Sequence, residues 1–211
     1  MKDAESTSQF RAAAIEYLFQ DLSEQWIDKA KNVVMERKNR LGMRSEELPS
    51  DIITVHIRWG DKKLEMALVD AQLYVDAVNV IVTEHEMVAP HIFVTTEDQR
   101  ALDAFAKRAP RDWQIFTYQP AIMKEEVSLN HGMGGYAAKH GGELGGHSFV
   151  ALLLAMEARH YVLTTGSNWS RLIDELRTNV LDVECDGCTS MIDLQPCQNL
   201  YRRDGKETRW C

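Results

Sequence analysis

The sequence predicts an α/β fold in which a parallel sheet carries helices on both faces. Segments 51–58, 91–95 and 113–118 are short, apolar and rich in β-branched or aromatic residues, as strands buried on both faces are. Apolar residues at helical spacing follow the first two of these segments. Strands that alternate with helices along a chain predict a parallel sheet covered by those helices.

Length and composition limit the class of protein. The 211 residues suit one domain with a sizeable core, and the 45% hydrophobic and 27% charged residues are typical of a globular protein. A net charge of -8 argues against a nucleic-acid partner, because binding phosphates on that scale needs a basic face. No apolar run approaches the roughly 20 residues of a membrane span, and the first residues do not form a targeting signal.

The chain divides into three predicted parts. Residues 1–45 form an N-terminal helical segment, because apolar residues recur at helical spacing from 10 to 41 and Gly42 stops the helix. Residues 46–183 form the main domain, and residues 184–211 form a cysteine-rich, loop-rich tail. We expect the N-terminal helix to pack on the domain.

The next elements follow the first strand in order. A helix is predicted from Ala67 to Val82, and it ends before Pro90. The second strand runs over 91–95, and Thr96 is the predicted N-cap of the helix that follows it. The third strand covers 113–118.

A glycine-rich segment from 119 to 146 follows, and we interpret it as a loop. Residues 141–148 resemble a P-loop, but His147 stands where the phosphate-binding lysine should be and no apolar strand precedes it, which excludes an ATPase. His131, His140 and His147 could hold a metal. In a flexible glycine loop such histidines are more often solvated, so no metal is assigned.

Residues 149–156 predict a short buried helix, and residues 161–171 then read strand, turn, helix. The turn Thr165-Gly166-Ser167-Asn168 opens a helix whose free backbone N–H groups suit a diphosphate. The alternative is ordinary capping of this helix by Ser167 or Asn168.

Ionisable residues cluster where the first strand ends. His56 and Arg58 point the same way along the strand, and Asp61, Lys62 and Glu65 follow within one loop. Ligands of open α/β sheets bind at the carboxyl ends of strands, and a guanidinium suits phosphate oxygens. The alternative is an Arg58–Asp61 ion pair at a sheet edge, with His56 as a hydrogen-bonded core residue.

Glu97 and Asp98 follow the second strand in the same way. They are candidates for binding the same ligand. The alternative is acidic residues in the first turn of a helix, where the helix dipole favours them.

All four cysteines, Cys185, Cys188, Cys197 and Cys211, lie in the tail. An even set in an irregular segment favours disulfides and an oxidising compartment. A four-cysteine zinc site is the other structural interpretation, because Cys185 and Cys188 have zinc-knuckle spacing, and reduced thiols stay open.

Three segments resemble the α1,6-fucosyltransferase family. Val55-His56-Ile57-Arg58-x-x-Asp61-Lys62 is similar to its first motif, and residues 92–98 resemble its strand followed by Thr and two acidic residues. Residues 158–171 are similar to its third motif, with Ser167 at the nucleotide-binding serine. The resemblance covers about residues 25–195.

The resemblance implies a Rossmann-like domain, the donor-binding half of a two-domain GT-B glycosyltransferase. It implies transfer of fucose from GDP-fucose, with inversion and without a metal or other cofactor, to a hydroxyl of a glycan or glycoprotein. The expected catalytic residues are Arg58, Asp61, Lys62 and Glu65, with Glu65 or Asp61 as the base. The expected donor-binding residues are His56, Glu97, Asp98, Thr165, Gly166, Ser167 and Asn168.

The chain departs from the family at two positions. Where the family has an acidic residue that recognises guanine, this chain has Ala151. Where the family has its proposed base, this chain has Met66, one position after Glu65. These departures favour the alternative of a catalytically inactive module that binds a nucleotide sugar or a protein. We also expect a separate N-terminal half-domain and, for the full-length protein, the Golgi or secretory lumen.

Overall fold

The structure, a computed structural model, describes residues 13, 24–40, 52–59, 67–118, 143–196, 199–201 and 207–209. It confirms the predicted Rossmann-like α/β fold. The helices are α1 (Glu24–Arg40), α2 (Ala71–Glu84), α3 (Gln99–Arg108), α4 (Glu143–Ala155), α5 (Asn168–Leu176), a π-helical turn (Arg177–Leu181) and α6 (Asp182–Cys185). The strands are β1 (Ile52–His56), β2 (His91–Thr95), β3 (Gln114–Phe116), β4 (His160–Leu163), β5 (Ser190–Asp193), β6 (Asn199–Tyr201) and β7 (Glu207–Arg209).

The main sheet has five strands in the order β3-β2-β1-β4-β5, and every neighbouring pair is parallel. In register, Ile53 of β1 lies between Ile92 of β2 and His160 of β4. The chain builds outward from β1 to β3 and then returns to place β4 on the other side of β1. The strand order therefore reverses between β1 and β4, which is the topological switch point of the sheet.

Helices cover both faces, as predicted. Ile53 and Val55 of β1 pack in one core with residues of α2 and α3. Ile52 packs on the opposite face, in a second core with residues of α1, α4 and α5. All five residues of β1 are buried, because the central strand has a neighbour on each side and a helical layer on each face.

The N-terminal helix packs on the domain through a close contact with α4. Gly146 of α4 faces the indole of Trp26 in α1 so closely that a Cβ at this position would overlap the ring. The glycine-rich segment was predicted as a loop up to residue 146, and this is wrong for residues 143–146, since α4 begins at Glu143. Glycine suits position 146 of this helix because its missing side chain makes room for Trp26.

Two details of the second half also differ from the predictions. Asp98, not Thr96, is the N-cap of α3, because its carboxylate accepts a hydrogen bond from the backbone N–H of Arg100 at 2.9 Å. The predicted tail contributes β5, which pairs with β4 and completes the sheet.

The tail also contains a disulfide between Cys185 and Cys188, as predicted for this part of the chain. Cys197 and Cys211 lie outside the described residues. Within the described ranges, the structure contains no helix with the length and apolar character needed to cross a bilayer.

Candidate functional site

The candidate site lies at the carboxyl ends of β1 and β4, which flank the switch point. Val55 of β1 pairs with Val162 of β4. Arg58 lies three residues after Val55, and Thr165 lies three residues after Val162. The two segments therefore leave neighbouring parallel strands at the same level. In open α/β sheets, ligands bind in the crevice outside these strand ends.

Arg58 forms an ion pair with Glu97, the first acidic residue after β2. Its side chain is 16% exposed and that of Glu97 is 39% exposed, so a largely buried guanidinium pairs with a more exposed carboxylate. Its Nη1 also lies 3.4 Å from the carbonyl oxygen of Trp59, and the Trp59 indole donates to the carbonyl of Val69 at 2.8 Å. These contacts hold the segment after β1 against the start of α2.

The predicted loop residues Asp61, Lys62 and Glu65 lie outside the described residues, as does Met66. Their roles stay predictions, and so does the alternative ion pair between Arg58 and Asp61. The described partner of Arg58 comes instead from the neighbouring strand.

His56 is buried and neutral. Its Nδ1 lies 2.6 Å from the hydroxyl oxygen of Ser170 in the first turn of α5, and the same oxygen accepts from the backbone N–H of Thr164 at 3.1 Å. Burial, with a smaller contribution from the Arg58 charge, lowers the pKa of His56 to about 3. This matches the alternative of a hydrogen-bonded core histidine. His56 positions α5 against β1, and its predicted contact with a nucleotide stays a prediction.

Glu97 and Asp98 contact different partners. Asp98 is buried, caps α3, and accepts from the guanidinium of Arg100 at 2.6 Å. Glu97 is exposed and holds Arg58. Glu97 is thus the member of this pair for which the ion pair with Arg58 is described.

Asp193, at the end of β5, organises the turn after β4. Its carboxylate accepts from the hydroxyl and the backbone N–H of Thr165, the latter at 3.1 Å, and from the backbone N–H of Gln195 at 3.1 Å. Sequence reasoning missed Asp193. The available signal was an aspartate that directly follows the apolar pair Met191-Ile192.

The backbone N–H groups of the turn itself are already engaged. The N–H of Gly166 donates to the carbonyl of Gln195 at 2.9 Å, and that of Ser167 donates to the carbonyl of Thr164 at 2.8 Å. Together with the Thr165–Asp193 contact, these bonds leave residues 165–167 without a described backbone donor for a ligand. The donors must come from the helix that follows.

The first turn of α5 supplies such donors. Ser167 is the N-cap residue, but its side chain makes no capping hydrogen bond. Ser167 is thus the N-cap residue that the alternative of ordinary capping named, although it makes no side-chain hydrogen bond to the helix. The N–H groups of residues 168–170 precede the first intrahelical bond, from Arg171 to the carbonyl of Ser167. Arg171 also donates to the carbonyl of Thr165 at 3.2 Å and to the side chain of Asn168, which fixes the shape of the turn.

Two buried hydroxyl groups lie beside this site. Tyr74 of α2 is 0% exposed and Thr164 is 1% exposed, and neither hydroxyl has a hydrogen-bond partner among the described residues. Burial raises the pKa of Tyr74 to about 12, while Thr164 and the Arg58 backbone lower it and Asp193 raises it. Thr164, the Arg58 backbone and Asp193 lie near the Tyr74 hydroxyl, but none of them has the distance and angle of a hydrogen bond to it. Sequence reasoning assigned Tyr74 to packing alone.

His147 corrects another expectation. It is buried, not solvated, and its Nδ1 lies 2.7 Å from the Tyr118 hydroxyl. Its ring stacks edge-on against Trp26, and its Nε2 lies 3.6 Å from Glu143. Burial is the main cause that lowers the pKa of His147. His131 and His140 lie outside the described residues, so the three-histidine metal set stays untested.

The fold and the position of the site define a class, a Rossmann-like α/β domain with a candidate ligand edge at its switch point. In comparisons of the sequence, no family model matches the chain and no curated protein matches it.

Proposed function

We propose that the domain binds the diphosphate of GDP-fucose at the switch point and serves as the donor-binding half of a fucosyltransferase. One observation carries the proposal. Arg58 and the turn that leads into α5 leave neighbouring parallel strands, so a cation and the backbone donors of a helix start lie at the same edge of the sheet. A diphosphate is the ligand that suits both groups.

The physical chemistry of the two groups is complementary. The N-terminus of a helix carries partial positive charge and unpaired N–H groups, which together favour an anion. A guanidinium has five N–H donors in one plane, a geometry that matches the oxygens of a phosphate. Glu97 would then hold Arg58 in the orientation that the ligand needs.

The reaction that this ligand permits is an inverting transfer. A hydroxyl of the acceptor glycan attacks C1 of fucose from the face opposite the phosphate, the C1–O bond breaks, and charge develops on the departing β-phosphate. Arg58 and Lys62, with the N–H groups of residues 168–170, would stabilise that charge, at about 2.7–4 kcal/mol per well-placed donor. Glu65, or Asp61, would take the proton of the acceptor hydroxyl.

The positioning groups act through the protein. His56 would hold the first turn of α5 through Ser170, and Asp193 would hold the turn before it through Thr165. Asp98 would fix α3 behind Glu97. None of these three needs to touch the donor in order to support the site.

A second candidate function is an inactive module that binds a nucleotide sugar or a protein. Ala151 favours it, because this position, where the family resemblance expects a guanine-reading acid, is a buried alanine within α4. Met66, at the position expected for the base, favours it too. The two candidates share the diphosphate site and differ in turnover.

Binding of GDP tests the proposal directly. We expect GDP and GDP-fucose to raise the melting temperature of the protein, because a ligand that binds only the folded state stabilises it by mass action. Arg58→Ala should weaken GDP binding by about tenfold or more, the effect of losing one charged hydrogen bond. Arg111→Ala is the matched control, since Arg111 is an exposed arginine just before β3, at the opposite end of the strands.

The outcomes separate the candidates. Weaker binding in the Arg58 variant alone, together with hydrolysis or transfer of fucose, supports the transferase. The same binding without turnover supports the inactive module. Equal binding of UDP and GDP would overturn the GDP-fucose assignment, and equal losses in the Arg58 and Arg111 variants would overturn the site itself.

A further inference from the structure

A second cluster of ligating atoms lies in segment 182–189, which precedes β5. One oxygen of Asp182 and the sulfur atoms of Cys185 and Cys188 all lie within 4.8 Å of one another. The two sulfurs are joined in a disulfide, and Cys188 is exposed. A thiol-reducing agent could therefore reach the bond without unfolding the domain.

The backbone holds this segment in a compact turn that does not depend on the disulfide alone. Asp186 and Gly187 both have left-handed φ values, 56° and 78°, which reverse the chain after α6. The N–H of Gly187 donates to the carbonyl of Asp182 at 2.8 Å, and the N–H of Cys188 points at the sulfur of Cys185 at 3.3 Å. An amide donor on a sulfur stabilises a thiolate, which is the form that binds metals.

The carboxylate of Asp182 is oriented and still has capacity for a ligand. Its Oδ1 accepts from the backbone N–H and the hydroxyl of Thr189, at 3.0 and 2.7 Å, which uses both lone pairs. Its Oδ2 accepts from Arg177 at 2.8 Å, which leaves one lone pair. Arg177 also lies close enough to balance the negative charge that two thiolates and a carboxylate leave on a divalent ion.

We propose that reduction of the Cys185–Cys188 disulfide opens a Zn²⁺ site formed by both thiolates and Asp182. A dithiol supplies two electrons and two protons and is itself oxidised to a disulfide, so the S–S bond becomes two thiols. A phosphine supplies the same two electrons and becomes a phosphine oxide, with water providing the oxygen and the two protons. Zn²⁺ then displaces the two thiol protons to solvent as the Zn–S bonds form. The disulfide and the zinc complex are alternative states of one segment.

Zinc is the metal that this donor set favours. Thiolates are soft ligands that select zinc over magnesium or calcium, and two cysteines separated by two residues have the spacing of a zinc knuckle. Three protein ligands leave a fourth tetrahedral position for water. Such an open site exchanges its ion, so it suits a redox-controlled switch better than a permanent structural centre.

The test uses the full chain with Cys197→Ser and Cys211→Ser, which leaves only the two cysteines of the site. After reduction with a phosphine, zinc affinity is measured by competition with a chromogenic chelator. We expect one zinc ion per reduced chain and none per oxidised chain. Cys188→Ser should abolish this binding while leaving the hydrogen bonds of Asp182 in place.

Asp182→Asn tests the third ligand, and Asp186→Asn is its control, since Asp186 is a neighbouring exposed carboxylate outside the cluster. We expect Asp182→Asn to weaken zinc binding by about tenfold or more, since changes to supporting residues alone cost that much. Asp186→Asn should leave the affinity unchanged. Circular dichroism checks that each variant is folded.

Three results would overturn the proposal: equal zinc binding by oxidised and reduced protein, binding that survives Cys188→Ser, or equal affinities in the Asp182 and Asp186 variants. None of these measurements involves GDP or fucose. The test of the zinc site is therefore independent of the proposed transferase activity.

Discussion

Replacing Tyr74 with phenylalanine should make the protein more stable. The Tyr74 hydroxyl is removed from water by folding and gains no hydrogen bond among the described residues. A buried polar group without a partner costs about 1–3 kcal/mol, and phenylalanine keeps the ring that packs in the core. We expect an increase of roughly 1 kcal/mol in the free energy of unfolding.

Tyr161→Phe is the matched control. Tyr161 is also 0% exposed, but its hydroxyl donates to the carbonyl of Ala158 at 2.7 Å. Its removal takes away this buried hydrogen bond, so the variant should lose about 0.5–1.5 kcal/mol. Two tyrosines of equal burial should therefore respond with opposite signs.

Urea denaturation gives both changes, read as shifts of the midpoint at constant slope. In a thermal melt, about 1 kcal/mol corresponds to roughly 2–4 °C for a chain of this size. A Tyr74→Phe protein that is destabilised as much as Tyr161→Phe would refute the reasoning. It would mean that the Tyr74 hydroxyl makes a bond as strong as the one between Tyr161 and Ala158.

Two further predictions concern the core. Gly146→Ala should lower the free energy of unfolding by about 1–3 kcal/mol, because the added methyl group would overlap Trp26. Gly145→Ala, which has open space around it, should raise the free energy of unfolding by about 0.5–1 kcal/mol through helix propensity. Equal changes for the two variants in chemical denaturation would contradict the contact between Gly146 and Trp26. The pKa of His56 is about 3 in the folded protein and its ordinary value is 6.5, so between these pH values the unfolded chain binds a proton that the folded protein does not. The free energy of unfolding should therefore fall by several kcal/mol as the pH drops from about 6.5 to about 3. His56→Gln should flatten this part of the pH profile, and a profile parallel to that of the unmodified protein would show that His56 is not the group responsible.

The buried strands were the easiest elements to predict. β2 has the predicted bounds, because strands covered on both faces appear as continuous apolar runs. β5 was missed, since residues 190–193 are half-buried at the edge of the sheet and carry little hydrophobic signal. The start of α4 was missed because glycine disfavours helices, and only the contact of Gly146 with Trp26 shows why it is there.

By itself, the sequence determined that Arg58 and the turn at 165–168 would stand at strand ends, because local patterns mark where strands stop. Only the tertiary structure decided which strand ends are neighbours. The pairing of Arg58 with Glu97, of His56 with Ser170 and of Thr165 with Asp193 depends on strand order and register, which join residues far apart in the chain. Such contacts form only when the sheet assembles, so no local pattern encodes them.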